Sequence, residues 1–531
     1  MTASAGNPVT VHGPDPAAPG PRRARLAGEA AWMPLIPALV TLAVALYQIQ
    51  RPSLWRDEGA TLAAVHRSLP QLLRMLGHTD VVHGAYYVLM WFETRAVGTS
   101  VLALRFPSAV GMAVAAGFLA ALGRRLVSTR AGLAAGLVFA VLPSVTWYAQ
   151  NARSYALVTA LATIASYLLV RAMAADPGRR WRWLTGYGVS LAVMGLGNIF
   201  ALLLIPAHGL TLALWARHNP ATGDGSAAMA ADGSAPAPAG GAPAGPGWPA
   251  VRGWPAVRGW LAASAAALVV ASPVVLISIG QRSQVGWLKP LDAAQIASVR
   301  QLLGPPALAA TVLLVIVATF AFCALRGRLA TDLPGRLLAL SLPWLLLPPA
   351  VLLAASAAHP VYSLRYIVFC APAAALLAGA GLAALGWAGG AAGLALIVLV
   401  ALPGQASDRR VGSHSENLRQ LSHLVAVHSR PGDALLIPRL TDREFVAAYP
   451  APYRPLRDVT LAQTPTQSAT LLGTPAAARL VRHRLATVDR LWVIETGNER
   501  GKVPLLTGLG FQVSHRWTVS GIWLVLYTRP G

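Results

Sequence analysis

Asp57 and Glu58 lie in the stretch SLWRDEGATLAAVH, Ser53 to His66, directly after a mostly apolar run from Met33 to Gln50. Two adjacent ionised carboxylates repel each other, and near hydrocarbon each is costly unless a cation or hydrogen-bond donor meets it. Acids so placed can take a proton from a hydroxyl or hold a divalent cation through oxygen ligands. The plainer alternative is a polar loop whose acids pair with nearby Arg56 or Arg67. Further along, His83 can serve as a metal ligand, a proton carrier or a hydrogen-bonded interfacial residue.

The elements that must position these groups are membrane helices. Of 531 residues 55% are hydrophobic and only 12% charged, with a mean hydropathy of +0.53, which describes a polytopic membrane protein. The formal charge of +23 comes almost wholly from arginine, since lysine occurs only at Lys289 and Lys502. Those arginines are scattered among apolar runs and not gathered into one basic domain, which argues against nucleic acid and for lipid headgroups or phosphate. Cys323 and Cys370 both fall in apolar runs, so neither a disulfide framework nor a thiolate metal site is implied.

A span needs about 20 apolar residues. By that measure eleven spans are expected, near 33–50, 102–122, 131–149, 154–173, 183–198, 200–216, 260–279, 306–325, 337–357, 365–385 and 389–403. Connections carrying Arg124, Arg125 and Arg130, then Arg179, Arg180 and Arg182, then Arg326, Arg328 and Arg336 fall on one side. Arg22, Arg23 and Arg25 fall there too, which sets that side and the N-terminus in the cytoplasm. GAYYVLMWFETRAVG, Gly84 to Gly98, is interrupted by Glu93 and Arg95 and reads as a juxtamembrane helix in the outer interface.

The expected organisation is a disordered cytoplasmic tail over 1–31, a membrane domain over 32–403, and a small α/β domain over 404–531. Within the membrane domain, Ala, Gly and Pro rich residues 221–259 read as a cytoplasmic linker that ends in a short duplication, GWPAVRGWPAVRGW. In the last part DALLIP, RLWVIET and IWLVLYT read as strands, alternating with helices near Glu416 to His428 and Pro475 to Thr487. The parity of eleven spans puts that domain outside the cytoplasm. Asn198 and His208 are read as satisfying backbone or one another, and Trp147, Tyr148 and Trp287 as interfacial aromatics.

Five segments in order carry a resemblance: LWRDEGAT after the first span, His83 with Tyr86 and Tyr87, LRFPSA at Leu104 to Ala109, WYAQNARSYAL at Trp147 to Leu157, and HPVYSLRYIVFCAP at His359 to Pro372. Together they resemble the GT-C membrane glycosyltransferases of the protein O-mannosyltransferase type, the group that is also similar to the aminoarabinose transferase of lipid A. The resemblance covers residues 33–385 and implies the GT-C fold, a polyprenyl-phosphate-linked sugar as donor, and a catalytic acid in the first outer loop. That role falls on Asp57, with Glu58 as the accompanying acid. The family's His-Pro-Pro-Leu-Tyr corresponds to HGAYY, so His83 and Tyr87 match and both prolines are lost. Its Tyr-Ser-Gln-Glu-Ala-Arg corresponds to Tyr148 to Arg153, where Gln150 matches and Asn151 replaces the second acid. An amide oxygen can still ligate Mg or Mn beside Asp57 and His83, but it brings no charge.

On this resemblance Arg365 with Tyr366, Arg105 and Arg153 hold the donor phosphate, because guanidinium groups at a low-dielectric boundary stabilise the charge that develops on it. Each arginine also reads as a snorkelling anchor. The implied reaction is an inverting displacement of a mannose-like hexose onto a hydroxyl of a protein, a lipoglycan or a wall polymer. Two other readings stand beside it: a transporter or flippase of an isoprenoid-linked substrate, and a lapsed relative with a binding role.

Overall fold

The computed structural model describes residues 32–218, 254–286, 288–325, 332–497 and 504–530. Arg22, Arg23, Arg25, Trp287, Arg326, Arg328 and most of the expected linker lie outside the described residues.

Helices stand at each of the eleven apolar runs. The chain begins with α1 (Leu35–Leu46), followed by an outer segment of three helices: α2 (Arg56–Val65), α3 (Leu69–His78) and α4 (Gly84–Val97). Next come α5 (Val101–Leu126), the bent pair α6 (Thr129–Val141) and α7 (Pro143–Ala149), α8 (Tyr155–Met173), α9 (Pro177–Gly197), α10 (Leu204–His218) and α11 (Trp254–Gly280). A short α12 (Ala293–Ser298) precedes α13 (Pro306–Leu325), α14 (Asp332–Ala358), α15 (Ala371–Ala384) and α16 (Gly386–Asp408). Among the described residues six of these elements are long and apolar enough to cross a membrane, or eight if each bent pair is one span. The 66° break between α6 and α7 falls where Pro143 follows Leu142, a dipeptide that cannot continue a helix.

Several boundaries differ from expectation, α9 for example starting at Pro177 and so taking in Arg179, Arg180 and Arg182. Helix α11 starts at Trp254, so the second copy of the duplicated hexapeptide is helix and not linker. Helix α16 runs through Pro403 and Gly404 to Asp408, because Pro403 lies on an exposed face while Ala401 and Gly404 stay buried against the bundle. Asn198 and His208 do not meet each other. His208 lies between the Ser166 and Tyr187 hydroxyls at 3.1 Å each, and Asn198 accepts from the Phe200 N–H.

The C-terminal part carries α17 (Leu418–His428), β1 (Ala434–Leu436), α18 (Arg443–Ala448), β2 (Arg457–Asp458), β3 (Leu461–Gln463), β4 (Thr474–Pro475), α19 (Ala478–Leu485), β5 (Arg490–Glu495), α20 (Pro504–Gly508), β6 (Gln512–Val519) and β7 (Ile522–Thr528). Five strands form a mixed sheet in the order β2-β1-β5-β7-β6. Strand β1 runs parallel to β2 and β5, while β7 pairs antiparallel with β5 and β6. Leu491 to Ile494 are fully buried, as a central strand covered on both faces requires.

This sheet is not a separate body. One of its faces shares a core with the outer segment: Leu54, Ala60, Leu72 and Tyr87 pack in one cluster with Leu418, Leu435, Phe445 and Trp492. A fully buried side chain such as Phe445 contributes about 1.5–3 kcal/mol. Gly59 permits the closest contact, since a Cβ there would stand 2.1 Å from the Glu444 carbonyl oxygen. Helix α2 is thereby held between the apolar bundle and α18.

Candidate active site

Helix α2 presents its two acids to different surroundings. Successive helical residues are rotated by about 100°, so neighbours in sequence face different walls. Glu58 faces inward and is fully buried. Arg105 meets it with two bonds, Nε to Oε1 at 2.8 Å and Nη2 to Oε2 at 2.7 Å, and the Ala152 N–H adds a third at 3.0 Å. The remaining Arg105 N–H groups donate to the carbonyls of Ile49, Pro52 and Ser53. All of its donors are used and the guanidinium is fully buried. Arg105 therefore has no donor left for a phosphate, and Glu58 is turned into the bundle, away from the Asp57 carboxylate. The pair is structural, tying the end of the first apolar run to α2 and α5.

Asp57 turns the other way, toward the start of α15. Its carboxylate forms an ion pair with Arg365, in the short turn that precedes that helix, and both side chains keep partial exposure, 14% and 22%. Neither Arg56 nor Arg67 supplies the counter-charge. Arg56 instead donates from its backbone and its Nε to Glu416, at 2.9 and 2.6 Å, and Arg67 donates to the carbonyls of Ala63 and Thr470. The Arg365 guanidinium also lies over the Trp55 ring at 5.6 Å, while the Tyr366 ring packs on Phe200 at 4.8 Å.

Arg153 is placed beside this pair by the turn between α7 and α8. Its Nη1 reaches the Asp57 carbonyl at 3.3 Å and the Tyr87 hydroxyl at 3.0 Å, and its buried Nε has no partner among the described residues. Tyr87 donates in turn to Asp80, whose other oxygen lies 3.9 Å from His83 Nε2. Burial first, and then the nearby Arg153 charge, push His83 down to about 4, so its ring is neutral at physiological pH. Its Nδ1 is buried without a partner among the described residues. Asp57, Arg365, Arg153, Tyr87 and His83 thus form one connected group.

Two other candidates occupy different places. Gln150 donates from Nε2 to the carbonyls of Ala45 and Tyr47 at 2.8 and 3.0 Å, so it fastens the end of α1 and does not line the site. Asn151 is buried, accepts from the Trp55 indole at 3.4 Å, and leaves its Nδ2 unpartnered. Its amide thus faces Trp55, where the resembled family carries a carboxylate. The donor chemistry does not fit a divalent cation at Asp57, Asn151 and His83: the single carboxylate already faces a guanidinium, and no cluster of three His, Cys, Asp or Glu side chains occurs among the described residues.

Sequence reasoning missed four contributors, Trp55, Asp80, His414 and Glu416. Trp55 stacks on His414 at 5.1 Å, and His414 in turn meets Trp147 at 4.2 Å, forming an aromatic floor beside Arg365. Asp80, three residues before His83, could have been found from that spacing. His414 and Glu416 carry no local signal, since they reach the site only because the C-terminal part folds back on α2.

Residues 84–222 match the sequence model of the family described as dolichyl-phosphate-mannose-protein mannosyltransferase. No curated protein matches the chain. Among solved structures, ArnT from Cupriavidus metallidurans in the apo state superimposes with a TM-score of 0.58 at 13% identity, over 94% of this chain and 98% of that one. The fold is that of the GT-C membrane glycosyltransferases. The same ArnT bound to undecaprenyl phosphate gives a TM-score of 0.57 at 13% identity, over 92% and 97% of the two chains. The archaeal oligosaccharyltransferase AglB from Archaeoglobus fulgidus, in complex with an inhibitory peptide and a dolichol-phosphate, gives 0.50 at 10% identity, over 94% and 74%. The GT-C likeness therefore extends over the membrane helices and the C-terminal sheet together.

Proposed function

We propose that the protein is a polyprenyl-phosphate-dependent glycosyltransferase that moves a mannose-like hexose to an extracytoplasmic hydroxyl with inversion. The observation that carries this reading is the Asp57–Arg365 ion pair, partly exposed where the outer segment meets the start of an apolar helix. The family match and the ArnT and AglB likenesses support it, one of those structures holding undecaprenyl phosphate and the other a dolichol-phosphate.

In this mechanism the donor phosphate takes the Arg365 guanidinium and frees the Asp57 carboxylate. Asp57 then accepts the proton of the acceptor hydroxyl as that oxygen attacks the anomeric carbon. The bond from carbon to phosphate oxygen breaks, its electron pair leaves with the lipid phosphate, and Arg365 with Arg153 stabilises the added charge. One carboxylate suffices, because the departing phosphate needs no protonation. His83, neutral, and Tyr87 hold Arg153 and Asp80 in register. The reaction uses fixed guanidinium charge in place of a divalent cation. Eleven crossings, with the N-terminus in the cytoplasm and the sheet outside, would set this site at the outer boundary of the bilayer.

The test is transfer by purified protein in nanodiscs from radiolabelled polyprenyl-phosphate mannose. Asp57→Asn is expected to fold normally and lose at least about a hundredfold in turnover, the lower range for a general base. Turnover like the wild type's in that variant would remove the assigned base.

A further inference from the structure

The close approach at Gly59 lays α18 on the turn of α2 that carries Asp57. The Arg56 guanidinium lies over the Phe445 ring at 4.8 Å and 3.8 Å from Asp442. This docking leaves the half-buried Glu444 side chain within electrostatic reach of Asp57, Arg56, Arg153 and Asp80. Its neighbours are spoken for: Asp442 accepts from the Thr496 hydroxyl, Glu416 from Arg56, and Arg443 turns to Asp458 at 2.6 Å. Glu444 differs, for no hydrogen bond or ion pair holds its carboxyl among the described residues.

We propose that Glu444 is a ligand for hydroxyls of the transferred sugar, so that the C-terminal domain takes part in choosing the donor. This rests on the glycosyltransferase reading of the site. Arg365 comes from the start of an apolar helix and takes the phosphate from the membrane side. The sugar must lie beside Asp57 if that carboxylate is the base, and α18 packs on the same turn of α2. Burial, then the charge of Asp57, pushes the Glu444 carboxyl up to about 8, with Asp80 adding to the effect and Arg56 and Arg153 opposing it. At neutral pH it therefore keeps its proton. A protonated carboxyl offers one donor and one acceptor side by side, which matches two neighbouring hydroxyls of a hexose.

The experiment compares binding of undecaprenyl phosphate and undecaprenyl-phosphate mannose to the full chain in nanodiscs, followed by tryptophan emission. Glu444→Ala is expected to weaken the mannosyl lipid roughly tenfold, the loss of one good hydrogen bond, and to leave the bare phosphate unchanged. Glu444→Gln keeps a donor and an acceptor, and so stays near the wild type. It also escapes the loss of sugar affinity that the wild type shows between about pH 7 and about pH 9. Equal weakening of both lipids, no weakening of either, or an alkaline loss that persists in Glu444→Gln would overturn the proposal. A wild type that binds neither lipid would overturn the transferase reading itself, and this inference with it.

Discussion

Glu58→Gln separates the two adjacent acids most sharply. The substitution keeps shape and removes charge from a carboxylate that is fully buried and held by two Arg105 bonds and one backbone N–H. What remains is a buried guanidinium with three carbonyl partners and no counter-charge. Breaking such a pair from one side costs about 3–5 kcal/mol, which lowers the ratio of folded to unfolded protein by more than about a hundredfold. Removing both charges with Glu58→Gln and Arg105→Met should recover at least about 1.5 kcal/mol of the summed single losses, because the two side chains share one network. The assay is thermal unfolding in nanodiscs, read by tryptophan emission, alongside transfer activity. Asp57→Asn should melt with the wild type and be inactive, whereas Glu58→Gln should melt early. If Glu58→Gln melted with the wild type and lost only turnover, the structural role given to this pair would be wrong, and Glu58 would be a reacting group.

Gly59→Ala sets a methyl group against the Glu444 carbonyl and should loosen α18 from α2, seen as faster proteolysis of the C-terminal part with the membrane helices intact. Acid should destabilise the fold through His83 and His414, which burial pushes down to about 4 and about 3. Because these folded values lie below the unfolded one of about 6.5, the unfolded chain binds more protons as pH falls, and stability present above about pH 6.5 is lost through that window. The His83 contribution alone is on the order of 3 kcal/mol, and His83→Gln should flatten the acid limb of a melting series. Chelation of divalent cations should leave transfer unchanged if, as proposed, Arg365 supplies the positive charge. A loss restored by Mg or Mn would count against that mechanism.

The sequence made the helices and the main strands legible, because apolar length and short β-branched runs are local signals. Strand β6 escaped notice since it is an edge strand, mostly exposed from Gln512 to Arg516, with no apolar alternation to mark it. At the site, the ordered motifs sufficed to group Asp57 with Arg365, which form an ion pair, but not to show that Glu58 and Arg105 pair with each other. A pattern of adjacent letters does not say which acid points into the bundle; the helical rotation between them decides it. Gln150 failed for a related reason, its amide being drawn to the open carbonyls at the end of α1. Glu416 and Glu444 were out of reach because the expected domain boundary separated them from α2, and only a shared core brings them back.

That shared core also dictates an order of events at birth. The Ser53 N–H donates to the Val411 carbonyl at 2.9 Å, and α2 is covered by residues from the far end of the chain. A ribosome that has delivered every membrane helix has still not delivered the residues that cover α2. The newly inserted polypeptide therefore carries α2 uncovered until the C-terminal part follows, and a prematurely stopped product would leave Leu54, Ala60 and Leu72 without the side chains that bury them.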